Sequence, residues 1–215
     1  MNILDAVLVR SLRPLMVRAM RQVLRDRFSH ESLKALIREI WRQYRALARG
    51  LPAEATLAAR IMVRLAAVTA GVYRSLVDAG LSHDEARERT ARVSWLLYSK
   101  LAILPWKFTA LLARPPIRRV RRVMDLLMRF PYAAPGYRMN YVPTDEGTVG
   151  FDVHRRPAAE YFARQGLSDV CVVAFCNLDY PLADRWRVKL ERSQTLIGGA
   201  RYCDFRFRAR GARDG

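Results

Sequence analysis

Several things are scarce in this chain. Its 215 residues hold three cysteines and three histidines. None of the cysteines forms a CxxC pair, and the histidines (His30, His83, His154) lie far apart. No HExxH, P-loop or GxGxxG occurs, so metal and nucleotide chemistry have no local support and no cofactor is expected. An odd cysteine count with no recognisable secretory leader fits reduced thiols in a cytoplasm. The opening MNILDAVLVRSLRPL has Asp5 early, arginines within its apolar stretch and no small-residue cleavage site. No uncharged apolar window reaches the ~18 residues of a spanning helix. The nearest, Leu96 to Leu112, is interrupted by Lys100, Pro105 and Lys107. Internal repeats and low-complexity tracts are also missing.

Acidic residues are scarce relative to basic ones, at 20 Asp+Glu against 38 Lys+Arg, and the imbalance is local. Residues 1–130 hold 25 basic and 10 acidic side chains, a net of +15, whereas residues 131–215 hold 13 and 10, a net of +3. The basic half should be drawn to polyanions, either anionic lipid or nucleic acid. Half of the chain is apolar and the mean hydropathy is −0.10, which argues against disorder and against an integral membrane protein.

The first 130 residues read as helix almost throughout. Leu12, Met16, Met20 and Val23 recur at helical spacing opposite Arg18, Arg21 and Arg25. Ser29 caps a second helix striped by Leu33, Leu36, Ile37, Ile40, Trp41 and Tyr44. Pro52 is expected to start a third, with Gly80 past its end. Ser82 with Glu85 forms a capping box for a fourth, which Pro105 should break or kink. Both His30 and His83 follow capping serines, so first-turn surface positions explain them. A short basic helix follows Pro115 and Pro116.

At Pro131 the character changes, and PYAAPG marks a boundary between a helical region (1–130) and a module (131–215). YRMNYV and TVGFDVHR alternate as strands, and Ala158 to Gln165 reads as a short helix closed by Gly166. The segment after Ser168 fits a helix, with a strand as its competitor. VKLERSQTL and RYCDFRFRA form a hairpin about Gly198–Gly199. The predicted class is α+β, with helices packed on a small antiparallel sheet module that carries the specific function.

A two-residue turn pairs Leu190 with Phe207, Glu191 with Arg206, Arg192 with Phe205, Ser193 with Asp204 and Gln194 with Cys203. The face carrying Phe205 and Phe207 must then be buried, with Arg192 on it. An arginine there needs a partner: either Asp179 or Asp152, or the carboxylate of a small anionic ligand. Glu191 with Arg206 reads as an ordinary cross-strand pair. Cys176 and Asp179 would share a helical face, although a cysteine in VVAFC also reads as a small core residue. Cys171 is read as core.

The order Cys-x-x-Asp-Tyr (Cys176 to Tyr180), KLERSQTL (Lys189 to Leu196), a glycine turn and CDFRF (Cys203 to Phe207) resembles the L-2-amino-thiazoline-4-carboxylic acid hydrolase family. Upstream, FDVHR…AAEYFARQGL (Phe151 to Leu167) resembles that family's preceding strand and helix. The likeness spans about residues 140–210 and extends weakly to Leu76–Ala86. It implies water-driven opening of a cyclic thiazoline carboxylate to an N-carbamoyl-cysteine. It also implies Cys176 or Cys203 as nucleophile, Asp179 or Asp204 as acid/base, and Arg192 as carboxylate anchor. Glu191 lies within the matching stretch as a substrate-side residue. One departure is Arg155-Arg156-Pro157, where the family often has a cysteine after the junction arginine, so this would be a divergent member.

The expected partner is a small carboxylate-bearing substrate. The alternative is a non-enzymatic ligand-binding module whose basic helices dock on an anionic membrane. RRVRR (Arg118 to Arg122) after LPWKFTALLA suits such an interfacial helix. No zinc or RNA-reading motif supports nucleic acid. The expected location is the cytoplasm, with the inner membrane face in reach.

Overall fold

A computed structural model describes residues 3–109 and 113–211. The end of the apolar run that closes at Leu112 lies outside these residues. Five helices come first: α1 (Ile3–Leu24), α2 (His30–Leu47), α3 (Leu57–Asp78), α4 (His83–Thr109) and α5 (Pro116–Arg129). Strands β1 (Arg138–Val142) and β2 (Thr148–Arg155) lead into α6 (Pro157–Arg164) and α7 (Ser168–Cys171), which runs on as a π-helical turn, Val172–Cys176. Helix α8 (Asp179–Arg185), β3 (Val188–Glu191) and β4 (Cys203–Ala209) complete the chain. The fold is α+β, as the residue pattern predicts.

Capping decides several boundaries. Ser29 accepts from the Ser32 N–H at 3.3 Å, and Ser82 from the Glu85 N–H at 3.2 Å. Helix α3 starts at Leu57, not at Pro52, because Thr56 supplies the capping oxygen, accepting from the Ala59 N–H at 3.2 Å, while the Glu54 carboxylate is taken by Arg155. Leu51, before the proline, has none to offer. Pro105 does not end α4, which continues to Thr109.

Small residues let the helices close up. Ala66, Ala67 and Ala70 are fully buried on α3, and a Cβ on Gly71 would stand 3.2 Å from the Ile40 carbonyl oxygen of α2. The larger core joins α1–α4 to α6, α7 and the π-turn, so it takes in residues on both sides of Pro131. A second core lies between one face of the sheet, α5, α8 and Trp106 of α4.

The sheet is antiparallel in the order β1-β2-β4-β3. Leu190 stands opposite Phe207 and Glu191 opposite Arg206, the predicted register. The tight glycine turn is not formed. Pairing stops at Glu191, and residues 192–202 make a loop in which Thr195 caps a 3-10 turn, Leu196–Gly198. Gly199 takes the expected left-handed conformation, with φ 90°. The segment from Ser168 is helical, which removes the strand alternative.

Candidate functional site

The end of β2, the π-turn, the start of α8 and the start of β4 meet at one place. The π-turn makes the meeting possible. Its Asn177 N–H reaches back to the Val172 carbonyl at 2.8 Å, and this widened turn brings Cys171 into hydrogen-bond contact with Cys176. Both thiols are buried. Arg156, the residue between β2 and α6, sets its Nη1 3.6 Å from the Cys176 sulfur.

Asp179 opens α8 with its carboxyl turned inward. Oδ1 accepts from the Tyr98 hydroxyl of α4 at 3.2 Å, and Oδ2 faces Arg192 Nη1 at 3.4 Å. The same Nη1 donates to the Cys176 carbonyl at 3.0 Å, and Nη2 approaches Asn177 Oδ1 at 3.5 Å. Arg192 also lies over the Phe205 ring, 5.3 Å from its centroid. Its side chain is 3% exposed and that of Asp179 11%, so this pair is largely desolvated. Of the two readings of this arginine, the geometry matches the structural pair with Asp179.

The surroundings drive Cys176 and Asp179 in opposite directions. A hydrogen bond from Cys171 and then the charge of Arg156 hold the Cys176 thiol below the ordinary cysteine range, outweighing burial and Asp179. Donating that hydrogen bond, together with burial, pushes Cys171 far up. Burial raises Asp179 above the usual carboxylate range, despite Arg156, Arg192 and Tyr98. Burial also keeps the Tyr98 and Tyr132 phenols protonated. A low thiol beside a high carboxyl is the pattern of a nucleophile next to a proton donor.

Cys203 borders this cluster through β4, but burial raises its thiol, and its sulfur accepts from the Leu196 N–H at 3.2 Å. Two other candidates from the sequence lie elsewhere. Asp204 holds the loop, accepting from the Ser193 N–H at 3.0 Å, the Ser193 hydroxyl at 2.7 Å and the Gln194 N–H at 2.8 Å. Burial would raise its carboxyl, yet these bonds prevail and it sits low. Glu191 is paired with Lys189 at 3.1 Å and Arg208 at 2.8 Å. Its register partner Arg206 turns instead to Asp152, at 2.9 Å. Sequence reasoning missed Cys171, Tyr98 and Tyr132. It noted Arg156 only as a departure from the family pattern.

Two cavities reach the site. The larger, about 570 Å³, is lined by residues of α1, α3 and α4 and by Arg156, Ala174 and Leu178. The smaller, about 60 Å³, lies over the sheet and is walled by Asp179 and Arg156. Tyr98, Tyr132 and Arg156 line both. Cys176 lines neither, and Arg156 is the group that touches its thiol and faces both spaces. Among the described residues, no helix is long and apolar enough to cross a membrane.

Residues 112–207 match the family model of L-2-amino-thiazoline-4-carboxylic acid hydrolase. The resemblance carried by CNLDY, KLERSQTL and CDFRF therefore holds for the C-terminal part, and the match starts earlier than those motifs, at α5. No curated protein matches the chain. Among solved structures, the crystal structure of the Fe(II) unliganded H-NOX protein from K. algicida is 10% identical, with 90% of this chain and 94% of that chain covered and a TM-score of 0.44. A point mutant of that protein is 8% identical, with 92% and 96% covered and a TM-score of 0.43. At these scores the likeness carries no argument.

Proposed function

We propose, taking the match of residues 112–207 to that hydrolase family as the premise, that this protein hydrolyses a small cyclic thiazoline or amidine-type carboxylate. The observation that carries the reading is the opposed pair, a lowered Cys176 thiol and a raised Asp179 carboxyl, joined by Arg192. In the reaction, the Cys176 thiolate bonds to the ring carbon between nitrogen and sulfur. The ring C–S bond breaks, and the departing sulfur takes the Asp179 proton. Water, losing a proton to the Asp179 carboxylate, then adds to the same carbon and expels the Cys176 thiolate. The net change is one water consumed and a urea and a thiol formed, with both side chains restored. Arg156, facing both cavities, holds the substrate carboxylate. Arg192 orients the Cys176 backbone and Asp179.

The test is turnover of a thiazoline carboxylate by the wild type, Cys176→Ala and Asp179→Asn, with folding checked by circular dichroism. The expected result is loss of turnover by a factor of ~100 or more in each variant, the scale of acid–base and nucleophile removal. Undiminished turnover in Cys176→Ala would sink the cysteine mechanism.

A second reading, contact with an anionic membrane, is favoured by one observation. Leu101, Leu104 and Phe108 stand exposed at helical spacing on α4, with Lys100 and Lys107 exposed beside them. This contact is compatible with the hydrolase reading.

A further inference from the structure

The larger cavity is far more than a small ring requires. About 570 Å³ falls among sites for drug-sized ligands, roughly 300–1,000 Å³. Its walls are side chains such as Leu12, Met16, Leu65 and Leu97. Leu8, Leu101, Leu104 and Phe130 line it and are also exposed, at 36%, 38%, 67% and 60%, so the mouth is rimmed by apolar groups in water. One lining residue differs. Arg156 is the one charged side chain among the described lining residues, and it makes no ion pair with any described carboxylate. Its hydrogen-bond partner is the Cys176 thiol, and its charge also acts on the Asp179 carboxyl. Tyr132 and Tyr98, in hydrogen-bond contact with each other, flank it. The guanidinium is only partly exposed, and the donors of its planar fork that are not turned to Cys176 suit a carboxylate.

We propose that this cavity binds a long-chain fatty carboxylate, with the chain between α1, α3 and α4 and the head on Arg156 and Tyr132. Apolar side chains in water at the rim, apolar walls and one cation among the lining groups match the groups of that molecule. Binding needs no covalent step, so it stands apart from hydrolysis. It shares Arg156 with the proposed substrate, so the fatty acid competes with a ring carboxylate.

The experiment is displacement of a fluorescent fatty acid from the full-length protein by palmitate and by methyl palmitate, using the wild type, Arg156→Gln and Ser94→Phe. Ser94 lines the bore, where a phenyl ring fills space. Palmitate should displace the probe at least tenfold better than its ester from the wild type. That preference should vanish in Arg156→Gln, and Ser94→Phe should weaken both ligands. No binding by the folded wild type, equal affinity for acid and ester, or binding untouched by Ser94→Phe would each overturn the proposal. If Arg156→Gln does not fold, the acid–ester comparison in the wild type and the Ser94→Phe result decide alone. Thiazoline turnover measured on the same preparation separates the two readings. Palmitate binding without turnover removes the hydrolase, and turnover without palmitate binding removes the fatty-acid site.

Discussion

Arg156 Nη1 lies 3.6 Å from the sulfur of Cys176, and the two residues are 20 positions apart in the chain. Arg156 is held between a strand and the proline that starts α6. Cys176 is held at the end of a π-turn. A cation at this distance favours thiolate over thiol, and Cys171 adds a hydrogen bond on the other side.

The first prediction concerns the pH at which Cys176 becomes reactive. Alkylation by iodoacetamide, followed by peptide mass spectrometry, should rise with pH through a midpoint below ~8.5, the free thiol value. Cys171→Ala removes the largest cause of the lowering and Arg156→Gln the next, so both variants should move the midpoint upward. Because the folded-state value is depressed, the stability from this group is full above the unfolded value. It is lost as pH falls through the folded one. Denaturation midpoints should therefore fall on mild acidification more in wild type than in Cys176→Ala.

The second prediction concerns the Arg192–Asp179 pair, whose side chains are 3% and 11% exposed. Arg192→Ala would strand a buried carboxyl and leave the Cys176 carbonyl without its donor. It should cost about 3–5 kcal/mol in urea unfolding. Arg192→Lys should rescue little, since one ammonium cannot span the Cys176 carbonyl, Asp179 and Asn177 as the planar fork does. A loss under 1 kcal/mol in the alanine variant would show that the pair does not hold α8 to the loop.

These residues also mark what was legible in the chain. The register that sets Leu190 against Phe207 follows from strand alternation, because hiding both Phe205 and Phe207 leaves one choice of face. The turn did not follow. Arg192 is drawn out of the ladder toward Cys176 and Asp179, and Asp204 gathers the amides of residues 193 and 194, so the strand ends early. Cys171 was hidden for a different reason: positions five apart do not face each other on an α-helix, and only the π-turn unites them. Tyr98 and Tyr132 come from remote segments, and local spacing carries no signal for such a meeting. The helical half was the most readable, through its stripes and its Ser29 and Ser82 caps. Pro52 misled there because the capping oxygen lies further on, at Thr56.

The third prediction tests the joint between the two halves. A Cβ on Gly136 would stand 2.4 Å from the Thr56 hydroxyl oxygen and 2.8 Å from the Ala59 Cβ. Since Thr56 caps α3, Gly136→Ala both overpacks the joint and disturbs the cap. The expected loss is about 1–3 kcal/mol by thermal or urea unfolding. Gly50→Ala, with nothing within 4 Å of the new Cβ, is the control and should shift stability little.

The fourth prediction bears on the basic half. Leu104 and Phe108 are 67% and 56% exposed, so replacing both with serine removes little packing and should leave the melting temperature within a few degrees. If these side chains enter a bilayer interface, the double variant should lose binding to vesicles containing anionic lipid in a sedimentation assay. Each buried methylene contributes ~0.8 kcal/mol, so two large side chains suffice for a loss of at least tenfold. Lys100→Gln with Lys107→Gln should weaken binding to anionic vesicles and flatten its salt dependence, because the basic side chains act through screened attraction. A wild type that sediments equally with neutral and anionic vesicles would remove the membrane reading. The hydrolase proposal, which rests on Cys176 and Asp179, and the fatty-acid proposal, which rests on the cavity and Arg156, would stand unchanged.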